Sequence, residues 1–176
     1  MKRVIALSLL SSAFIASPAT FAANGEGQVN FTGEILDTAC EVVNSLAAPL
    51  NVQMGKVSKN VFTAKGDTTS PESFNVILRN CPASVSTASI TFSGTPDTNN
   101  GDVLAISSGA GVATGVGIQL LDESLQPLPL FQASIDHPLT PAVDNELHFG
   151  ARYISTASSV TAGVANGVTN FTVVYN

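Results

Sequence analysis

The chain has 176 residues, of which 44% are hydrophobic, 11% charged and 6% aromatic, with a formal net charge of −6. That length and apolar content suit one ordinary domain with a real core and exclude a disordered chain. The charged share is less than half of the usual quarter, and Gly 14 and Pro 9 favour strands and turns over a helical bundle.

Lys2 and Arg3 precede an apolar run over residues 4–15, followed by small residues up to Ala22. This is the pattern of a secretory signal peptide cleaved after Ala22; a run of about 12 residues is too short for a transmembrane helix of roughly 20. Residues 1–22 are thus expected to be removed. The remainder keeps five basic residues (Lys56, Lys59, Lys65, Arg79, Arg152) against thirteen acids, 5 − 13 = −8. So acidic a surface cannot neutralise a phosphate backbone, and nucleic acid is not an expected partner. Cys40 and Cys81 are the two cysteines. In an exported chain an even count reads as one disulfide, closing a loop of about 42 residues and contributing about 4 kcal/mol by chain entropy.

In chain order, strands are predicted over 27–36, 50–54, 74–78, 89–93, 103–106, 115–121, 147–154 and 169–175. Turn signals separate them at 65–71, 95–102 (with Asn100-Gly101), 107–114, 126–129 and 166–167. Short strands at this spacing indicate an all-β sandwich. No repeat or linker divides residues 23–176.

From Asn24 to Ile35 the even positions are all polar and the odd ones (Gly25, Gly27, Val29, Phe31, Gly33, Ile35) all apolar or glycine. Twelve residues of strict period two describe a strand with one buried face. Glycine at three of the first five odd positions weakens an isolated strand, so the segment orders only where another backbone approaches closely. It is either the first strand of the domain's own sheet or a strand donated to another molecule; alternation alone does not separate the two.

Several stretches in order resemble the subunits of chaperone–usher fimbriae, the type 1 major-subunit family in particular. They are Gly27-Gln-Val-Asn-Phe-Thr-Gly-Glu-Ile35 with Thr38-Ala-Cys40, Val52-Gln-Met-Gly-Lys-Val57, Phe74-Asn-Val-Ile-Leu-Arg-Asn-Cys81, Gly115-Val-Gly-Ile-Gln-Leu-Leu-Asp122, Phe149-Gly-Ala-Arg-Tyr153 and Phe171-Thr-Val-Val-Tyr-Asn176. The resemblance implies an incomplete immunoglobulin-like β-sandwich that lacks its last strand and is completed by donor-strand exchange. It also implies three segments: signal peptide 1–22, N-terminal donor extension 23–33 and pilin domain 34–176. On that reading Gly25, Gly27, Val29, Phe31 and Gly33 face the groove of a neighbour, with Val29 and Phe31 filling pockets. Phe171, Val173 and Tyr175 line the groove's edge, and the carboxylate of Asn176 anchors a periplasmic chaperone. Implied partners are other copies of the chain, the chaperone, an outer-membrane usher and other fimbrial subunits including a tip adhesin. The implied destination, through the periplasm, is a fimbrium on the bacterial surface.

No catalytic site is expected, nor any cofactor or metal. His137, before Pro138, and His148, between Leu147 and Phe149, are the only histidines. Both read as surface or edge residues, because neither belongs to a triad-like motif. The Gly-rich stretch 107–117 has no Lys for a phosphate loop. Asp97-Thr-Asn-Asn-Gly-Asp102 has Asp102 where a calcium loop needs Gly and Ser108 where it needs Glu, so it reads as a solvated turn. Asn30-Phe-Thr32 and Asn170-Phe-Thr172 are formal sequons within predicted strands. The alternatives to a major shaft subunit are a minor adaptor pilin, or a self-contained secreted β-sandwich. A tip adhesin needs an extra lectin domain, for which 154 residues after the signal leave no space.

Overall fold

The computed structural model describes residues 28–33, 35 and 39–176. The expected signal segment and Gly25 and Gly27 lie outside the described residues. The chain divides after Ile35, and the body runs from Leu36 to Asn176.

Among the described residues of the body, nine strands form two antiparallel sheets. They are β1 (Glu41–Val42), β2 (Glu72–Arg79), β3 (Thr87–Ser93), β4 (Pro96–Asp97), β5 (Asn100–Ala105), β6 (Val116–Leu121), β7 (His137–Pro138), β8 (Asn145–Ser155) and β9 (Asn170–Tyr175), with one 3-10 turn at Lys59–Val61. The larger sheet has the order β1-β2-β8-β6-β5-β4 and the smaller β7-β3-β9. Alternation sets the faces: along β8, Leu147 and Phe149 are buried while Glu146 and His148 are exposed. Burial of both faces of β6 is met by glycine, since a Cβ on Gly117 would lie 2.5 Å from Val103 Cγ1.

The core lies between the sheets. Val76 and Leu78 of β2, Leu147 and Phe149 of β8 and Ile118 and Leu120 of β6 meet Ala88, Ile90 and Phe92 of β3. Phe92 crosses to Phe149 edge to face, ring centroids 5.1 Å apart, and each such large side chain contributes roughly 1.5–3 kcal/mol on burial. Cys40 and Cys81 are joined in a disulfide and both are buried; they tie the entrance of β1 to the exit of β2, where Glu41 faces Arg79. Buried Asn145 accepts from Thr140 N–H at 2.7 Å and donates to the Thr140 and Val143 carbonyls, so its polar groups are satisfied. Outside the core, Arg79 forms a forked pair with Asp144, both contacts 2.8 Å. That hydrogen bond lowers the Asp144 pKa.

Within the body, the structure departs from the sequence-based expectations at four places. Residues 50–54 form no ladder, although Val52 and Met54 keep the predicted alternation, because their backbone groups find no partner among the described residues. The turn of the β4–β5 hairpin falls at Thr98–Asn99 rather than Asn100-Gly101, which open β5. The Asp97 carboxylate takes the Asn99 N–H at 2.8 Å and so closes the turn two residues early. His137 is a buried member of β7, 6% exposed, rather than a surface residue, since β7 pairs with β3 and its ring packs on Phe149. The two-residue strands β1, β4 and β7 were not predicted, being too short to show a period.

Candidate functional site

Among the described residues, β9 is an edge strand with one neighbour, β3. Its register sets Tyr175 against Ala88, Val173 against Ile90 and Phe171 against Phe92. Asn176 and Thr87 exchange both backbone hydrogen bonds, each 3.0 Å. Bonded pairs alternate along an antiparallel ladder, so 170, 172, 174 and 176 turn their backbone groups toward β3. Phe171, Val173 and Tyr175 therefore present N–H and C=O to the open side, where they have no partner among the described residues. Their side chains stand on the core face of the sheet, perpendicular to that row of backbone groups and half-buried, while Asn170, Thr172 and Val174 are exposed. A single row thus combines an apolar seam with a line of free donors and acceptors, the arrangement that accepts an added strand.

The seam continues beyond β9. Val42, Met54, Phe74, Ile106 and Tyr153 are likewise half-buried and packed on the core. Phe92 links Phe74 and Phe171, with ring centroids 6.0 and 6.2 Å away. Tyr175 donates its hydroxyl to the Cys40 carbonyl at 3.4 Å, and burial raises its pKa; the hydroxyl therefore stays protonated as a donor. Residues 50–57 form a second stretch whose backbone groups have no partner among the described residues. An open depression of about 440 Å³, lined by Met54, Val57, Val61 and Glu72 among others, lies against it.

At the chain's end, the Asn176 carbonyl oxygen accepts from Ser86 N–H (2.9 Å), Thr87 N–H (3.0 Å) and the Ser86 hydroxyl (3.1 Å). One oxygen of the expected chaperone anchor is thus already held inside the subunit. The Asn176 side chain donates to Asp136 at 3.3 Å.

Of the segment before the body, residues 28–33 belong to no ladder. Val29 is 74% and Phe31 93% exposed, while Gln28 donates to Asn30 at 2.6 Å along the opposite, polar side. A Cβ on Gly33 would meet nothing within 4 Å. Sequence reasoning singled out the odd residues of β9 but missed Phe74 and Tyr153 as seam residues, and the unpaired backbone of 50–57. The first two alternate like ordinary core residues; the third was visible only as a strand. Among the described residues no group of three or more His, Cys, Asp or Glu side chains could hold a metal ion.

The family model described as "Fimbrial protein" matches residues 29–176. A probable major fimbrial subunit of Escherichia coli O157:H7 is 37% identical, covering 99% of this chain and 97% of its own. A solved antigen and type I fimbria protein of Burkholderia pseudomallei is 38% identical with a TM-score of 0.61, over 84% of this chain and 96% of its own. The rod subunit of the P pilus, PapA, at 20% identity and a TM-score of 0.65 over 79% of this chain and all of its own, shares the fold. The first two of these relatives are named as a fimbrial subunit and a fimbria protein. The chain belongs to the fimbrial protein family.

Proposed function

We propose that the chain is a major shaft subunit that polymerises head to tail, laying its own residues 23–33 along β9 of the next copy. The observation that carries this reading is the free edge of β9, where Phe171, Val173 and Tyr175 set half-buried side chains on the core face and, along the edge, backbone groups without a partner among the described residues. The complementary half is the alternation of Gly25, Gly27, Val29, Phe31 and Gly33. Burying Val29 and Phe31 stabilises each joint by roughly 3–6 kcal/mol, and each ladder bond adds about 0.5–1.5 kcal/mol. The unpaired backbone of residues 50–57 supplies a further edge for the inserted strand. Because donor and acceptor are different surfaces, the contact does not close on itself and propagates into a filament.

On the same reading residues 1–22 direct export through the periplasm, where a chaperone covers the β9 edge until an usher passes the subunit to the fibre. Such a cover answers a physical need, since an exposed apolar edge strand aggregates. The shaft role is supported by the relative named as a probable major subunit. The test is Phe31→Arg, which alters the donated side chain and leaves the β9 edge intact. The variant is expected to accumulate as folded, unpolymerised subunits; normal fibres in electron micrographs would contradict strand donation.

A further inference from the structure

Among the described residues, His137 is the one ionisable side chain that is buried. Its Nδ1 lies 3.6 Å from Glu123 Oε2, beyond a good hydrogen bond, and its Nε2 has no partner. Its position couples it to β9. In the sheet β7-β3-β9, Ala88 pairs with His137 on one side and Tyr175 on the other, so the three residues form one row across the sheet. In the core, the ring rests on Phe149 with centroids 5.5 Å apart. Phe149 contacts Phe92, and Phe92 contacts Phe171. A third link is polar: Asp136, adjacent in sequence, accepts from the Asn176 side chain.

Ionisable neighbours face this imidazole from each side. Glu123 and Asp122 come from the turn after β6, Asp136 from its own strand's entrance and His148 from β8; β3 contributes none. Burial is the largest influence and lowers the His137 pKa; the attraction of Glu123, Asp136 and Asp122 works the other way without offsetting it, and His148 adds to the lowering.

We propose that His137 is an acid-sensitive latch behind the acceptor edge: a proton on its orphaned Nε2 has no acceptor in the closed core, so the β7-β3-β9 sheet opens to hydrate it and loosens its hold on an inserted strand. The latch rests on the strand-acceptance reading above. Its sign follows from linkage. The opened state takes up the proton near the ordinary value of 6.5, the closed state only at lower pH. The closed sheet is therefore fully stable above that value and loses stability as pH falls below it.

The test loads the full chain with a fluorescent synthetic peptide of residues 23–33 and follows its dissociation at about pH 7.5 and about pH 5, a window that spans histidine titration. The expected result is several-fold faster release in acid, abolished by His137→Gln and kept by His148→Gln. Should His137→Gln not fold, His137→Phe preserves the ring packing. The imidazole signals of the unaltered chain, followed by NMR, add a check that needs no variant: acid release should track proton uptake by His137. Equal release at both pH values overturns the latch alone, as does acid release that persists in both His137 variants or follows only carboxylate titration. A peptide that fails to bind at neutral pH overturns strand acceptance itself, and the latch with it.

Discussion

Single side chains decide two separate matters in this subunit: which surfaces stay open and which backbone turns are possible. Phe171, Val173 and Tyr175 do the first, with the Tyr175 hydroxyl holding the end of β9 to the Cys40 carbonyl. Removing that hydroxyl by Tyr175→Phe keeps the ring in the seam and is expected to cost about 1 kcal/mol of stability, read as a small drop in the denaturant midpoint with an unchanged slope. Gly115 illustrates the second. Its φ is +73° and a Cβ there would run into the Ser159 carbonyl, so Gly115→Ala is expected to destabilise the body by more than 1 kcal/mol. A thermal midpoint equal to that of the unaltered chain would show that the loop yields freely. His137 is the residue whose surroundings were least visible in the sequence. A histidine before proline reads as loop, and only the pairing of β7 with β3 buries it.

Longer strands were legible because their hydrophobic patterns and flanking turns agree. β2, β3, β5, β6, β8 and β9 all lie where strands were predicted, their ends shifted by at most three residues. What sequence alone could not supply is partnership. Residues 50–54 have a strand's alternation, with Val52 and Met54 half-buried, yet have no ladder, since pattern registers burial while a ladder needs a neighbour. The same distinction explains residues 28–33, whose period is the most regular in the chain and which pair with nothing in the described residues. The site was half legible for the same reason: parity picked out the seam side chains of β9, whereas its free backbone edge follows from the topology. That edge gives an element-level prediction. The Val173 N–H points to the open side, so Val173→Pro spares the β3 ladder and removes one donor from the acceptor row, as edge strands allow. The folded body is expected to survive while peptide affinity falls by roughly tenfold, about 1.4 kcal/mol. Titration of the labelled 23–33 peptide measures it, and unchanged affinity would place the inserted strand elsewhere.

For the whole molecule, the disulfide and the missing neighbour of β9 act in opposite senses. Cys40–Cys81 closes a loop spanning 41 positions and stabilises the body by about 4 kcal/mol through the unfolded chain. The double replacement Cys40→Ser with Cys81→Ser is therefore expected to lower the unfolding free energy by that order, and a loss well under 1 kcal/mol would mean that the sandwich holds β1 and β2 together unaided. On the strand-donation reading the open edge leaves the body short of its full set of contacts, and binding a strand there raises its stability by mass action. The most direct measurement is thermal melting of the chain shortened by residues 1–33, with and without the synthetic 23–33 peptide. A large rise in Tm with the peptide, absent when the peptide carries Phe31→Arg, is the predicted result. A shortened chain that is already stable and monomeric, with no shift on adding the peptide, would show a sandwich complete in itself and contradict assembly by strand donation.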